Sequence, residues 1–182
     1  MSDKIFISAN ELLEDSYRLA HRIFDDGFRP DYIVGIWRGG APVGIAVQEW
    51  LAHKGVPTDH ISIRTSSYTG IGEQTQEIRV HGLHYIVENA NTEDSLLIID
   101  DTFDTGRSVG AVIDAIRRLS RANTPGTIRV ATVYYKPTLR KVGFEPDYYM
   151  HITDKWLVFP HELQGLSDEE ITQHKPLAAS TK

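Results

Sequence analysis

Leu96-Leu97-Ile98-Ile99-Asp100-Asp101-Thr102-Phe103-Asp104-Thr105-Gly106-Arg107-Ser108 decides how the rest of this chain is read. Its opening apolar run shows no polar alternation, which suits a strand buried on both faces, as in parallel sheets. The strand delivers two adjacent carboxylates to its C-terminal end. A Thr-Gly-Arg-Ser turn then opens a helix that carries Val109, Val112, Ile113, Ile116 and Leu119 at helical spacing. A helix N-terminus presents free amides, and the Thr105 and Ser108 hydroxyls add to them while Gly106 permits close backbone approach. Such a cradle suits a phosphate monoester. The carboxylates beside it suit ribose hydroxyls or a metal ion, so one ligand carrying both phosphate and sugar would satisfy the whole segment.

The same strand, loop, helix order recurs on either side. Residues 31–36 (DYIVGI) form a second apolar run that leads into Trp37-Arg38-Gly39-Gly40. Residues 41–54 then place Val43, Ala46, Val47, Trp50 and Leu51 on one helical side, with Gly55 as the stop. Upstream, Ser8-Ala9-Asn10-Glu11 has capping-box spacing ahead of Leu12, Leu13, Tyr17, Ala20, Ile23 and Phe24, and Gly27 ends that helix. Residues 60–64 predict a strand, 65–76 a mobile loop rich in Ser, Thr, Gly, Gln and Glu, and Ile78 resumes a β pattern. Residues 128–134 and 147–152 predict two more strands, whereas the chain from Ser167 reads as polar and partly disordered. Repeated strand–helix alternation implies an α/β architecture on a parallel sheet.

With 182 residues, 41% apolar and 24% charged, the composition fits one ordinary globular domain spanning 1–182, with a polar tail over about 163–182. The chain has no cysteine, which removes disulfides and thiolate metal sites. The N-terminus lacks the apolar stretch of a signal peptide, and no apolar run approaches the roughly 20 residues that cross a bilayer, so a cytoplasmic protein without membrane contact is expected. A net charge of −6 argues against nucleic acid as a partner. A small phosphorylated ligand stays compatible, because backbone amides and a bridging divalent cation supply positive field locally. The GxxxxGK[ST] and GxGxxG phosphate loops are absent, and a phosphatase-like Asp-x-Asp fails because Thr102 stands two residues after Asp100.

The acidic segment resembles the phosphoribosyl pyrophosphate motif of type I phosphoribosyltransferases, and DDTFDTG is close to the form found in their 6-oxopurine branch. That resemblance implies a doubly wound, mainly parallel sheet flanked by helices, with a small hood built from terminal segments. It implies that Asp100 and Asp101 hold the ribose hydroxyls and help place Mg²⁺. Asp104, Thr105, Gly106, Arg107 and Ser108 would bind the 5′-phosphate, with Asp104 also serving as general base near purine N7. The branch often has Glu where Asp100 stands and Thr where Ser108 stands; both changes keep the chemistry. Arg38, Gly39 and Gly40 resemble the pyrophosphate loop, often associated with a cis peptide before the glycine, and Ser67 and Tyr68 resemble the Ser-Tyr of a flexible lid.

Further along, Lys136 and the run Asp154-Lys155-Trp156-Leu157-Val158-Phe159-Pro160-His161-Glu162 resemble purine-site elements. By that likeness Lys136 donates to the 6-oxo oxygen, Trp156 stacks on the base, Leu157 offers backbone groups near position 2, and Glu162 replaces an Asp near the metal. The resemblance covers about residues 31–162. It implies purine salvage, with phosphoribosyl pyrophosphate and hypoxanthine, guanine or xanthine as substrates and a homodimer or homotetramer as the assembly. Two other readings accompany it: a nucleotide-sensing regulator on the same fold, and a phosphoribosyltransferase for another base. Acidic net charge and the joint presence of base-site and pyrophosphate-site residues weigh against the first, and Lys136 with Trp156 against the second.

Overall fold

Ser8 caps the first helix as its spacing predicts. Its hydroxyl accepts from the Glu11 amide at 3.2 Å, and the Glu11 carboxylate accepts from the Ser8 amide at 2.8 Å. The computed structural model describes residues 4–69 and 76–178. Along the chain the elements are β1 (Lys4–Phe6), α1 (Ala9–Asp25), β2 (Tyr32–Trp37), α2 (Gly40–His53), β3 (Asp59–Thr69) and β4 (Gln76–His81). They continue as α3 (His84–Asn89), β5 (Ser95–Phe103), α4 (Arg107–Ser120), β6 (Thr127–Tyr135), β7 (Tyr148–Ile152), β8 (Trp156–Val158) and α5 (Asp168–His174).

Six strands form the main sheet in the order β4-β3-β2-β5-β6-β7, all parallel except β4. The lack of alternation in β5 has a simple cause. Leu97 and Ile99 belong to the core cluster shared with Leu19 and Ile23 of α1 and Val43 and Val47 of α2. Leu96 and Ile98 belong to the other cluster, with Val109, Val112 and Ile116 of α4. Both faces of β5 are therefore covered, as a doubly wound sheet requires. The chain leaves β2 toward β3 and later returns to β5 on the opposite side of β2, so strand order reverses between β2 and β5. Ligands of open α/β sheets bind in the crevice beyond the C-terminal strand ends at such a reversal. Here that crevice receives the loops after β2 and β5.

A second, two-stranded sheet pairs β1 with β8 in parallel, setting Ile5 opposite Leu157. Helix α5 joins it through a 2.6 Å Lys4–Glu170 ion pair and a stacked Phe6–His174 contact with ring centroids 3.7 Å apart. This is the expected hood of terminal segments. It also corrects the reading of the segment from Ser167: a second capping box, Ser167 with Glu170, starts a helix there. A further difference lies in the stretch read as a loop over 65–76. Most of its first half continues β3, and Arg64↔His81 through Thr69↔Gln76 form an antiparallel hairpin. Residues 70–75 and the Tyr68 side chain lie outside the described residues.

Candidate active site

Glycine pairs the two loops of the crevice. A Cβ on Gly39 would stand 1.9 Å from Asp101 Oδ2, and one on Gly40 would stand 2.3 Å from the Ile99 carbonyl oxygen. The loop after β2 is thus pressed against the acidic end of β5, and only residues without side chains fit. The cis peptide of this loop joins Trp37 to Arg38, one bond earlier than the bond before Gly39. Gly106 adopts φ +74° and caps α4, and a Cβ there would meet Phe103 and Val142 side-chain carbons at 2.5 Å. That tight turn leaves the first amides of α4 facing the crevice, with the Thr105 hydroxyl accepting from the Arg107 amide at 3.4 Å.

Charge is concentrated beside these amides. The Asp100 carboxylate accepts from the Asp101 amide at 3.0 Å and from the Gly40 amide. Burial pushes Asp100 well above the usual carboxylate range, and the charge of Asp101 adds to it. Burial, followed by the charge of Glu162, pushes Asp101 up to about 7. His161 Nε2 stands 3.9 Å from Asp101 Oδ2, and burial lowers its pKa, with Arg38 and Lys175 acting in the same direction. Glu162 is oriented by the Phe159 amide, which donates to its Oε2 at 3.1 Å.

A cavity of about 310 Å³ opens next to these acids, lined by Asp101, Asp104, Lys136, Trp156, Leu157 and Glu162 among others. Lys136 is only 8% exposed, an unusual burial for a lysine, and its amide donates to the Phe103 carbonyl at 2.9 Å. The sheet therefore carries Lys136 to the lining of the cavity from the end of β6. Trp156 is 56% exposed at its rim. The structure thus brings together six residues singled out from sequence. Arg38 lies in the turn after β2, Asp100 on β5, Thr105 and Gly106 in the turn that follows β5, and Arg107 and Ser108 in the first turn of α4; none of them lines the cavity. Ser67 sits on the part of β3 that continues past Arg64, the partner of the last β2 residue, and so projects beyond the same sheet edge. It does not line the cavity.

Three lining residues, Gln164, Gly165 and Leu166, were not legible in the sequence, because nothing in that irregular stretch signals a return to the pocket. Thr102 also lines it, and its hydroxyl is buried without a partner.

With that geometry in place, the sequence profile described as "Phosphoribosyl transferase domain" matches residues 8–164. The chain belongs to the phosphoribosyltransferase family. The enzyme is 24% identical over 164 residues to a hypoxanthine-guanine phosphoribosyltransferase of Mus spretus, covering 86% of this chain and 73% of that one. The corresponding protein of Streptococcus pyogenes is 25% identical over 146 residues, covering 80% and 76%. Among solved structures, a purine phosphoribosyltransferase from Pyrococcus horikoshii Ot3 superposes with a TM-score of 0.74 at 25% identity, covering 90% of this chain and 97% of that one. A hypothetical protein from Neisseria gonorrhoeae with bound ppGpp shares the fold, with a TM-score of 0.77 at 19% identity, covering 98% and 97%. The resemblance carried by the acidic loop therefore holds for the family, whose members transfer a phosphoribosyl group, and the curated relatives named above are hypoxanthine-guanine phosphoribosyltransferases. No helix among the described residues is long and apolar enough to cross a membrane.

Proposed function

We propose that the enzyme transfers the 5-phosphoribosyl group of phosphoribosyl pyrophosphate to a 6-oxopurine, with Mg²⁺ as cofactor and release of pyrophosphate. The observation that carries this reading is the shared cavity. It sets a buried lysine, an exposed aromatic and Asp104 against the acidic end of β5, beside the open N-terminus of α4.

In this reading the α4 amides with Thr105 and Ser108 hold the 5′-phosphate, Asp100 and Asp101 hold the ribose hydroxyls, and Arg38 with the Gly39 and Gly40 amides takes the pyrophosphate. Ser67 and Tyr68 close over that group and exclude water. Trp156 covers the base, Leu157 presents backbone groups to its edge, and Lys136 donates to the 6-oxo oxygen. The purine nitrogen forms its bond to C1′ as the C1′–oxygen bond breaks and its electron pair leaves with pyrophosphate. Asp104 accepts the N7 proton, and the Lys136 ammonium stabilises negative charge that develops on the base.

The carboxylates suit a hard divalent cation. Asp100, Asp101 and Glu162 offer oxygen only, and burial, followed by the charge of Glu162, disfavours the charged form of Asp101, which a bound cation would offset. Among the described residues no three His, Cys, Asp or Glu side chains form a group able to hold a metal ion. One or two of these carboxylates would therefore hold Mg²⁺ together with substrate oxygens and water, as is usual for this ion. Once bound, it would offset charge on the pyrophosphate.

Association into a homodimer or homotetramer belongs to the same proposal. Support comes from Trp37 at the end of β2 and Ile45 within α2, both exposed; light scattering of the purified protein measures the assembly. The function is tested by incubating protein, Mg²⁺ and phosphoribosyl pyrophosphate with single bases. Nucleotide formation with hypoxanthine, guanine or xanthine, and none with adenine or uracil, is the expected result.

A further inference from the structure

The wall of the base cavity between Phe159 and Ser167 has no regular secondary structure, so its position depends on what holds its ends. At one end stands β8, fixed by β1. At the other stands α5, which reaches back over the wall: the Lys175 ammonium donates to the Phe159 carbonyl oxygen. That oxygen also accepts from the Glu162 amide at 3.0 Å, while the Phe159 amide donates to the Glu162 carboxylate. The Phe159 peptide is thus engaged on both sides. Its ring is 4% exposed and packs edge-on against Tyr134 with centroids 5.8 Å apart.

We propose that Lys175 is a positioning residue for the purine: by holding the Phe159 carbonyl it fixes the wall that carries Glu162, Gln164, Gly165 and Leu166 into the base cavity. The inference rests on the reading of that cavity as the base site. A half-buried ammonium loses hydration and must recover it from a fixed acceptor. Burial lowers the Lys175 pKa and the Glu162 charge opposes that shift, so its head group lies within the electrostatic reach of the wall it secures. The anchors of α5 on the far side are separate groups, the Lys4–Glu170 pair and the Phe6–His174 stack. They deliver Lys175 from outside the cavity, and Lys175 does not line it. Its effect on substrate is therefore indirect, and the phosphate-binding loops after β2 and β5 make no use of it.

The test is steady-state kinetics of the full chain with each substrate varied in turn. Wild-type turnover with a purine is the control for the cavity reading, and without it both that reading and this inference fall. With it, Lys175→Met is expected to raise KM for the purine about tenfold. KM for phosphoribosyl pyrophosphate, which Glu162 reaches only through the metal, should rise by a clearly smaller factor, and Lys175→Arg should restore the purine KM. Glu170→Gln, which loosens α5 away from the cavity, should shift the purine KM in the same direction by a smaller factor; it carries the test if Lys175→Met does not fold. An unchanged purine KM, or an equal rise in both KM values, overturns the inference.

Discussion

Asp101 sits where three demands meet: the Gly39 backbone touches it, Glu162 raises its pKa, and the cavity opens onto it. Its pKa of about 7 in the folded protein lies above the ordinary 3.8, so between those values the folded chain holds a proton that the unfolded chain has released. Stability from this group is present at low pH and declines as pH rises toward 7. Asp101→Asn is therefore expected to flatten the fall in Tm of the ligand-free protein between pH 5 and about 7.5. Equal pH slopes in parent and variant would contradict the assignment. Asp104 has a different task, because it lines the cavity from an exposed position after β5. Asp104→Asn should lower turnover by roughly 10²–10⁴-fold, the range for loss of a general base. Phosphoribosyl pyrophosphate binding, followed by calorimetry, should change far less, and an equal loss in both would remove Asp104 from the base role. These two acids were legible in sequence because an apolar strand ending in DDTFDTG states both where the acids go and which cradle follows. The resemblance already set Glu162 near the metal, but the burial that chiefly raises Asp101 was not legible, because it arises only when the chain packs around the end of β5.

The strand–turn–helix unit β5–α4 is the element on which the fold and the site coincide. Gly106 holds it together: its φ of +74° and the 2.5 Å approach to Phe103 and Val142 leave no room for a Cβ. Gly106→Ala should cost at least about 1–2 kcal/mol from the left-handed conformation alone. It should also weaken phosphate binding, measured by denaturant unfolding and by titration with ribose 5-phosphate. A variant with unchanged stability and affinity would show that the turn relaxes. Units of this kind were readable because β5, with Leu96 to Ile99 buried on both faces, and α4, with its apolar spacing, announce themselves locally. The hairpin β3–β4 was read too short because its outer half, Thr65-Ser66-Ser67, is polar, and an edge ladder can form with either face in solvent. Leu119 fell on the predicted apolar stripe of α4 yet is exposed, lining an open cavity beside the edge strand β4.

Assembly of the whole molecule brings distant stretches to one cavity: β5, the end of β6, β8 and the wall leading into α5. The two hood strands are only three residues long each and pair across most of the chain, so neither has a local signature. Helix α5 did have one, the Ser167–Glu170 capping box, but a polar run without an apolar stripe hides it. If the loops and the hood enclose one ligand, that ligand should stabilise the molecule as a unit. Phosphoribosyl pyrophosphate with Mg²⁺ at about 100 times its Kd should add about 2.7 kcal/mol, read as a single cooperative shift of the melting transition. An unchanged transition, or a shift confined to part of it, would separate the loops from the hood. The most direct measurement is pyrophosphate release from phosphoribosyl pyrophosphate and Mg²⁺ with each purine supplied alone. Rapid release with one or more 6-oxopurines, matched by nucleotide formation, is the predicted result; binding of phosphoribosyl pyrophosphate with no release for any base would contradict the account.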